Sequence, residues 1–193
     1  MGKLTVINHI TLDGVMQAPG RPNEDTRDGF DRGGWAIADN DAVMGEVLGK
    51  GMSQGGSLLF GRRTYEDFAS YWPAQTDNPF AQVLDGAEKY VVSTTLHEPL
   101  PWSNSRLLSG DGAESVAALK ATDGPDLVVM GSGVLIQSLL RRRLIDRFML
   151  MIHPLLLGGG RRMFAGDGQP APLRLVDSVT TTTGVLIATY EPK

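Results

Sequence analysis

The chain has 193 residues, of which 41% are hydrophobic and 21% charged, and these values suit one globular domain with a real core. The formal net charge of −4 argues against a general nucleic-acid or anionic-membrane surface, because those partners favour a net basic face. The absence of cysteine excludes a disulfide framework, a thiolate nucleophile and a cysteine-ligated metal site. No apolar run approaches the ~18 residues of a membrane span. A cytoplasmic protein fits this composition.

Short β-rich runs alternate with helical patterns along the chain. The predicted strands are Leu4–His9, Ser57–Phe60, Lys89–Ser93, Arg106–Leu108, Leu127–Met130, Arg147–His153, Leu173–Val179 and Val185–Tyr190. The predicted helices are Asp39–Lys50, Arg63–Tyr71, Phe80–Asp85, Ala113–Ala121 and Gly133–Arg142. The last two strands flank Thr182, Thr183 and Gly184, which is typical of a β-hairpin. The pattern predicts one α/β domain over residues 1–193, with a mixed, mostly parallel eight-stranded sheet and a C-terminal antiparallel hairpin.

The segment LLFGRRTYEDF places a glycine and two arginines where a strand gives way to a helix. Gly61 follows the strand, and Arg62, Arg63 and Thr64 open the helix. Free backbone N–H groups and the positive end of the helix dipole favour an anion at such a junction, and guanidinium groups add forked donors suited to phosphate. A solvated arginine pair is the alternative. Because cations oppose the dipole at a helix start, phosphate binding is the favoured interpretation.

The segment DLVVMGSGVLIQSLL repeats this logic, since Leu127–Met130 resembles a strand and Gly131–Gly133 lead into a helix. Ile136 fills the position of the third glycine in the dinucleotide fingerprint, so a standard Rossmann domain is disfavoured. A tight structural turn is an equal alternative for this segment alone. Ser93 and Thr94 end a third strand, and α/β folds bind ligands outside the carboxyl ends of their strands. Together the three segments predict one ligand site.

With these motifs the chain resembles the dihydrofolate reductase superfamily, and within it the reductase domain of the riboflavin-biosynthesis deaminase-reductases and their stand-alone bacterial relatives. The resemblance is carried, in order, by TLDGVMQAPG, LLFGRRTYEDFASYWP, VVST, VVMGSGVLIQSLL and IHPLLLGGGRRMF. It implies a dihydrofolate-reductase-like three-layer αβα fold and NADPH as the cofactor. By resemblance, the residues at the 2′-phosphate side are Gly61, Arg62, Arg63, Thr64, Ser93 and Thr94, and those at the pyrophosphate are Gly131, Ser132, Gly133, Val134 and Leu135.

The resemblance also implies that the loop Asp13–Gly20 is mobile and closes over nicotinamide and substrate, which would exclude water during hydride transfer. Asp13 is the only acidic residue of this loop and is the predicted catalytic residue, with a role in positioning or protonating the substrate. Asp13-Gly14 is also typical of an ordinary turn, and the sequence leaves both interpretations open.

Dihydrofolate reductases carry a substrate-binding carboxylate on the helix before the Gly-Arg turn. Asp39, Asp41 and Glu46 lie on that predicted helix, with Glu46 nearest by spacing, but the longer GMSQGG connection leaves the choice open. Aromatic residues near the site are as often plain core as pocket wall. The residues predicted to contact substrate are Gly14, Met16, Gln17, Trp35, Glu46, Tyr71 and Trp72.

Two further patterns receive structural interpretations. Gly158–Gly160 are interpreted first as a turn and second as a ligand contact, and His153, at a strand end before a proline, as a structural histidine. Ser53 lies in a G-x-S-x-G pattern, but a nucleophile elbow follows a strand and opens a helix, whereas here the predicted helix precedes and a strand follows. A serine hydrolase acting through Ser53 is therefore the weakest alternative.

The sequence thus predicts a cytoplasmic, homodimeric, NADPH-dependent reductase. It would transfer a hydride to a C=N-type bond of a small heterocycle, either a pterin or a pyrimidine ribosylamine as in riboflavin biosynthesis. No metal-site motif is present, and neither nucleic acid nor membrane is an expected partner. A non-catalytic NADPH-binding protein of the same fold stays open, because the substrate carboxylate is not identified.

Overall fold

A computed structural model describes residues 2–53, 55–122, 124–164 and 170–193, without the side chains of residues 52 and 53. The strands are β1 (Leu4–Thr11), β2 (Ser57–Gly61), β3 (Lys89–Val92), β4 (Ser105–Leu108), β5 (Leu127–Met130), β6 (Arg147–His153), β7 (Leu173–Thr180) and β8 (Leu186–Pro192). The helices are α1 (Ala42–Ser53), α2 (Arg62–Tyr71), α3 (Pro79–Gly86), α4 (Gly112–Ala121) and α5 (Gly133–Arg141). The strands form a mixed, mostly parallel sheet in the order β4-β3-β2-β5-β1-β6-β8-β7, which confirms the predicted α/β fold.

The chain divides into two compact units, each built from two segments. The first unit comprises residues 1–5 and 54–145 and contains β2 to β5 with α2 to α5. Strand β2 lies between β3 and β5 and is parallel to both. Its apolar residues Leu58, Leu59 and Phe60 are all buried, as expected of a continuous apolar run in a parallel strand that is covered on both faces.

The second unit comprises residues 6–53 and 146–193. Strand β8 pairs antiparallel with both β6 and β7, and the connection from β7 to β8 is the predicted hairpin. Gly184 has a φ of +88° in this connection and donates its N–H to the Thr181 carbonyl at 3.2 Å. The positive φ explains why glycine suits this turn.

Helix α1 begins at Ala42, three residues after its predicted start at Asp39. Asp39 instead ends a short 3₁₀ turn. Asp41 caps the helix, because its Oδ1 accepts the N–H of Met44 at 2.8 Å. The other carboxylate oxygen accepts both the N–H and the hydroxyl of Thr182 at 2.7 Å, so Asp41 anchors the helix start to the hairpin.

Candidate functional site

In the first unit, three of the predicted ligand segments meet at one edge of the sheet. Gly61, at the end of β2, pairs in register with Val92, at the end of β3, and Ser93 follows directly. Leu59 pairs with Val129, near the end of β5. Because the three strands are parallel and adjacent, their carboxyl ends point the same way, and the turns that follow them lie side by side. This edge is where α/β folds bind ligands.

A single serine joins two of these turns. The N–H of Gly61 donates to Ser132 Oγ at 2.7 Å, and the Ser132 hydroxyl donates to Thr64 Oγ1 at 2.9 Å. The packing is close, since a Cβ added at Gly131 would lie 3.1 Å from the Thr64 methyl group. We name Gly61–Thr64 and Gly131–Gly133 together the paired turns.

The two helices that begin in the paired turns lack a capping side chain, unlike the other three. Asp41, Asn78 and Asp111 each accept a first-turn N–H, at the starts of α1, α3 and α4 respectively. At α2 and α5 no side chain takes this role within the described residues. The first backbone N–H groups of a helix have no intrahelical acceptor, so these two helix starts present unsatisfied donors. An anion is the partner that such donors and the helix dipole favour.

The two arginines at the start of α2 differ in their contacts. The Arg62 guanidinium forms an ion pair with Glu66, one turn along the helix, at 3.1 Å. Arg63 is exposed, and in the described part of the chain it has no ion-pair partner. Two cations at a helix N-terminus oppose the dipole, and a bound phosphate would remove that conflict.

The other predicted cofactor residues differ in how far their side chains are exposed. Ser93 is buried, and its Oγ accepts the N–H groups of Thr95 at 3.1 Å and Leu96 at 3.0 Å, so it shapes the turn after β3. Thr94 is exposed beside it. In α5, Val134 is 72% exposed, whereas the side chain of the next residue, Leu135, is buried.

In the second unit, Asp13 closes a turn and holds a facing segment. Its carboxylate accepts the Thr11 hydroxyl at 2.6 Å and the backbone N–H groups of Leu157 at 3.2 Å and Gly158 at 2.9 Å. The Thr11 hydrogen bond and these two N–H groups lower the pKa of Asp13 to about 2. The carboxyl group is therefore ionised at neutral pH and has no proton to donate. Gly14, with a φ of +83°, completes the turn by donating to the Thr11 carbonyl at 2.8 Å, which confirms the turn interpretation.

The first part of the loop Asp13–Gly20, which was expected to be mobile, is anchored by hydrogen bonds. Met16 donates its N–H to the Arg161 carbonyl at 2.9 Å. The Gln17 side chain is buried, accepts the Arg161 N–H at 2.9 Å and donates to the carbonyls of Asp25 and Arg27, both at 3.2 Å. Gln17 thus positions backbone rather than offering a free amide to a substrate.

Gly158–Gly160 behave as the predicted structural turn. Gly160 has a φ of +116°, and a Cβ added there would lie 2.8 Å from both Phe30 and Val15. Only glycine fits this position. Gly158 in this turn donates its backbone N–H to the Asp13 carboxylate, so the turn holds Asp13 in place.

Three of the predicted substrate residues occupy ordinary structural environments. The Glu46 carboxylate is 66% exposed and pairs with Lys50 at 2.6 Å, and this hydrogen bond lowers its pKa. Tyr71 and Trp72 end α2 and begin the next turn, in an aromatic cluster where Trp72 packs edge-on to Phe80 with ring centroids 5.0 Å apart. Glu46 is therefore a solvated helix residue, whereas Tyr71 and Trp72 are half-buried in this aromatic cluster.

A chain of three polar side chains was not predicted from the sequence. His153 Nδ1 lies 2.7 Å from Asp39 Oδ2, and His153 Nε2 lies 2.9 Å from His9 Nδ1. Trp35 packs edge-on against the His153 ring at 5.1 Å, and its indole N–H donates to the Gln17 carbonyl at 2.8 Å. We call Asp39, His153 and His9 the histidine chain. The members lie 114 and 144 residues apart in sequence, so no local motif marks the chain.

The alternative nucleophile lies in the wrong structural context. Ser53 ends α1, and β2 begins at Ser57, so a helix precedes and a strand follows. The nucleophile elbow has the opposite order. The Ser53 side chain lies outside the described residues.

Among the residues that are described, no cluster of three metal-ligating side chains occurs, and none of the helices is long and apolar enough to cross a membrane.

The fold and its paired turns define an α/β protein of the dihydrofolate-reductase-like class. Solved structures of similar fold are a protein assigned to riboflavin biosynthesis from Shewanella sp. PV-4 (TM-score 0.69, 23% identity, 99% of each chain covered) and a pyrimidine reductase-like protein from Corynebacterium diphtheriae (TM-score 0.68, 12% identity, 100% of this chain and 92% of the other). A third is dihydrofolate reductase from Enterococcus faecalis in complex with NADP(H) and RAB-propyl (TM-score 0.61, 15% identity, 100% and 97% covered).

The particular family follows from the sequence match. Residues 2–187 match the model of the RibD C-terminal domain, and the chain belongs to this family. It is also 30% identical over 175 residues to the uncharacterized protein YyaP of Bacillus subtilis strain 168, which covers 86% of this chain and 89% of that protein. Family and fold support a reductase-type function.

Proposed function

We propose that the protein is an NADPH-dependent reductase that transfers a hydride to a C=N-type bond of a small nitrogen heterocycle, such as a pterin or a pyrimidine ribosylamine. The observation that carries this proposal is the pair of uncapped helix starts joined by Ser132. Two neighbouring helix N-termini with unsatisfied N–H groups suit the linked phosphates of a dinucleotide.

The donor set fits a phosphorylated nicotinamide cofactor. The first-turn N–H groups of α5, from Gly133 to Leu135, would hold the pyrophosphate. Arg62, Arg63 and the hydroxyl groups after β3 would hold the 2′-phosphate, which favours NADPH over NADH. When bound, the cofactor supplies the hydride. The chain supplies orientation and a site from which water is excluded.

Asp13 has a positioning role in this proposal. Its carboxylate holds the segment that follows His153 and has no proton to give at neutral pH, because its pKa is about 2. Trp35 is proposed to wall the substrate pocket, since its indole lies against His153 and is tied to Gln17 in the Asp13–Gly20 loop.

Two measurements in sequence test the proposal. Isothermal calorimetry with NADPH and with NADH is expected to show tighter binding of NADPH, and equal affinity would contradict the cofactor assignment. NADPH oxidation is then followed with a panel of pterins and pyrimidine ribosylamines. Turnover of a member of the panel supports the reductase, whereas tight NADPH binding without turnover supports the second candidate, a non-catalytic NADPH-binding protein.

A further inference from the structure

The histidine chain couples two imidazole rings to one carboxylate. His153 is completely buried, at 0% exposure, and uses both ring nitrogens, one towards Asp39 at 2.7 Å and one towards His9 at 2.9 Å. In the described residues, the polar and ring contacts of the two imidazoles come from each other, from the Asp39 carboxylate and from the uncharged Trp35 indole. Asp39 is thus the charged group that faces the rings in these contacts.

Two proton arrangements satisfy both hydrogen bonds. With both rings neutral, His153 donates from Nδ1 to Asp39 and accepts at Nε2 from His9 Nδ1–H, which leaves His9 Nε2 without a proton. With one more proton, His153 donates from both nitrogens, and His9 accepts at Nδ1 and carries its own proton at Nε2. One added proton therefore converts His9 Nε2 from an acceptor into a donor, while His9 itself stays neutral.

The two imidazole rings of the histidine chain have different neighbours. The Asp39 carboxylate lies directly beside the His153 ring and compensates its positive charge. Burial, and secondly the charge of His153, lower the pKa of His9 to about 4, so the pair does not hold two added protons near neutral pH. The hydrogen bond to His153 uses His9 Nδ1, and His9 is partly exposed, so Nε2 is the atom that the histidine chain leaves for a ligand.

The position of the chain suits contact with a substrate. His9 lies near the carboxyl end of β1 and His153 ends β6, and ligands of α/β folds bind beyond such strand ends. Trp35, the proposed wall of the substrate pocket, packs on His153. Asp13 cannot fill the role of proton donor, because its carboxyl group is ionised.

We infer that Asp39, His153 and His9 form a proton-carrying chain that delivers a proton from His9 Nε2 to the nitrogen of the substrate's C=N bond. This inference rests on the proposed function. The substrate carbon gains a C–H bond from the hydride of the reduced nicotinamide, and the π pair of C=N moves to nitrogen, which forms an N–H bond with the His9 proton. His9 Nδ1 takes the Nε2 proton of His153, which returns to its neutral form, and solvent restores the proton. His9 is the catalytic residue, and His153 and Asp39 are positioning residues.

The proton chain is tested first without any turnover. The protein has three histidines, so two-bond ¹H–¹⁵N spectra can resolve every imidazole, with His97→Gln assigning the exposed third one. We expect His9 to change from the Nδ1–H to the Nε2–H tautomer, and to stay neutral, whenever His153 carries a proton on both ring nitrogens. Independent titration of the two rings, or a positive charge on His9 in that state, would overturn the inference. Asp39→Asn, which keeps an acceptor and removes the charge, is expected to alter the exchange between the two His9 tautomers.

Kinetics test delivery to the substrate. His9→Gln keeps a polar side chain but cannot pass a proton, so kcat with a confirmed substrate is expected to fall roughly 10²- to 10⁴-fold with NADPH affinity unchanged. His97→Gln is the matched control and is expected to keep the wild-type kcat. The pH profile of kcat in Asp39→Asn is expected to change together with the His9 tautomer exchange, which a purely structural effect would not produce. A His9→Gln enzyme as fast as wild type would refute proton delivery.

Failure of the inference and failure of the proposed function give different results. A wild-type protein that oxidises no NADPH with any member of the panel refutes the reductase proposal and, with it, delivery to substrate. Turnover accompanied by independent titration of His9 and His153 refutes the histidine chain alone.

Discussion

Replacing Ser132 by alanine removes the hydroxyl group that joins the paired turns. The substitution deletes the acceptor of the Gly61 N–H at 2.7 Å and the donor to Thr64 Oγ1 at 2.9 Å. A buried polar group left without its partner lowers the free energy of unfolding by about 1–3 kcal/mol. Because water has partial access to this site, we expect a loss near the lower end, at about 1–2 kcal/mol. For a chain of this size each kcal/mol lowers the melting temperature by roughly 2–4 °C, so a fall of about 2–8 °C is expected.

Thermal unfolding followed by circular dichroism measures this effect, with and without NADPH. The stabilisation by NADPH is expected to shrink in Ser132→Ala as well, because the two helix starts lose their common anchor. Ser70→Ala is the matched control, since its hydroxyl donates to the Asp67 carbonyl on an exposed helix surface, and a change within about 0.5 kcal/mol is expected. A Ser132→Ala protein with the wild-type melting temperature and wild-type NADPH stabilisation would refute the anchoring role.

Three further predictions rest on the contacts described above, and a fourth rests on the family resemblance. Arg62→Ala and Arg63→Ala should each reduce the calorimetric preference for NADPH over NADH, by up to about 1.5–3 kcal/mol. The reduction should be larger for Arg63→Ala, because Arg62 already has an ion-pair partner. An unchanged preference would contradict the contact with the 2′-phosphate. Asp13→Asn should slow single-turnover hydride transfer with NADPH affinity nearly unchanged. The loss in free energy of urea unfolding caused by Asp13→Asn should be largest at neutral pH. It should shrink as the pH falls from about 3.9, the unfolded pKa, to about 2, the folded pKa, because the ionised carboxylate of the folded protein becomes protonated over this range. A loss that does not depend on pH would contradict this. Gly160→Ala should destabilise the protein by about 1–3 kcal/mol in the same assay while Gly159→Ala, with open space around it, stays near wild type, and equal effects would argue against the close packing. Light scattering should give a dimer mass, and a monomer at working concentrations would reject the homodimer expected from the resemblance.

Hydrophobic patterning predicted most of the fold. Strands β5 and β6 have the predicted bounds, and α2 begins one residue before its predicted start. These elements have strong local signals, because apolar runs and glycine turns mark where each begins and ends. Helix α1 is the exception. Its pattern could not show that Asp39 turns away towards His153 while Asp41 becomes the cap.

The two parts of the candidate site differ in how far the sequence could predict them. The turns after β2, β3 and β5 are visible as motifs, and parallel strand topology then places them at one edge. The hydrogen bond from Gly61 to Ser132 and the chain from Asp39 to His9 depend on pairs of residues distant in sequence. No local pattern encodes such contacts, and a lone histidine before a proline carries no sign of its partner.

The proposed phosphate site is tested most directly by amide chemical-shift mapping during titration with NADPH. The largest ¹H–¹⁵N shifts are expected at the backbone amides of Gly61–Thr64 and Gly131–Leu135, where α2 and α5 begin without a capping side chain. The starts of α3 and α4, whose N–H groups are already accepted by Asn78 and Asp111, are expected to stay unchanged and serve as internal controls. Saturable binding that leaves the paired turns unshifted would contradict the assignment of the cofactor site.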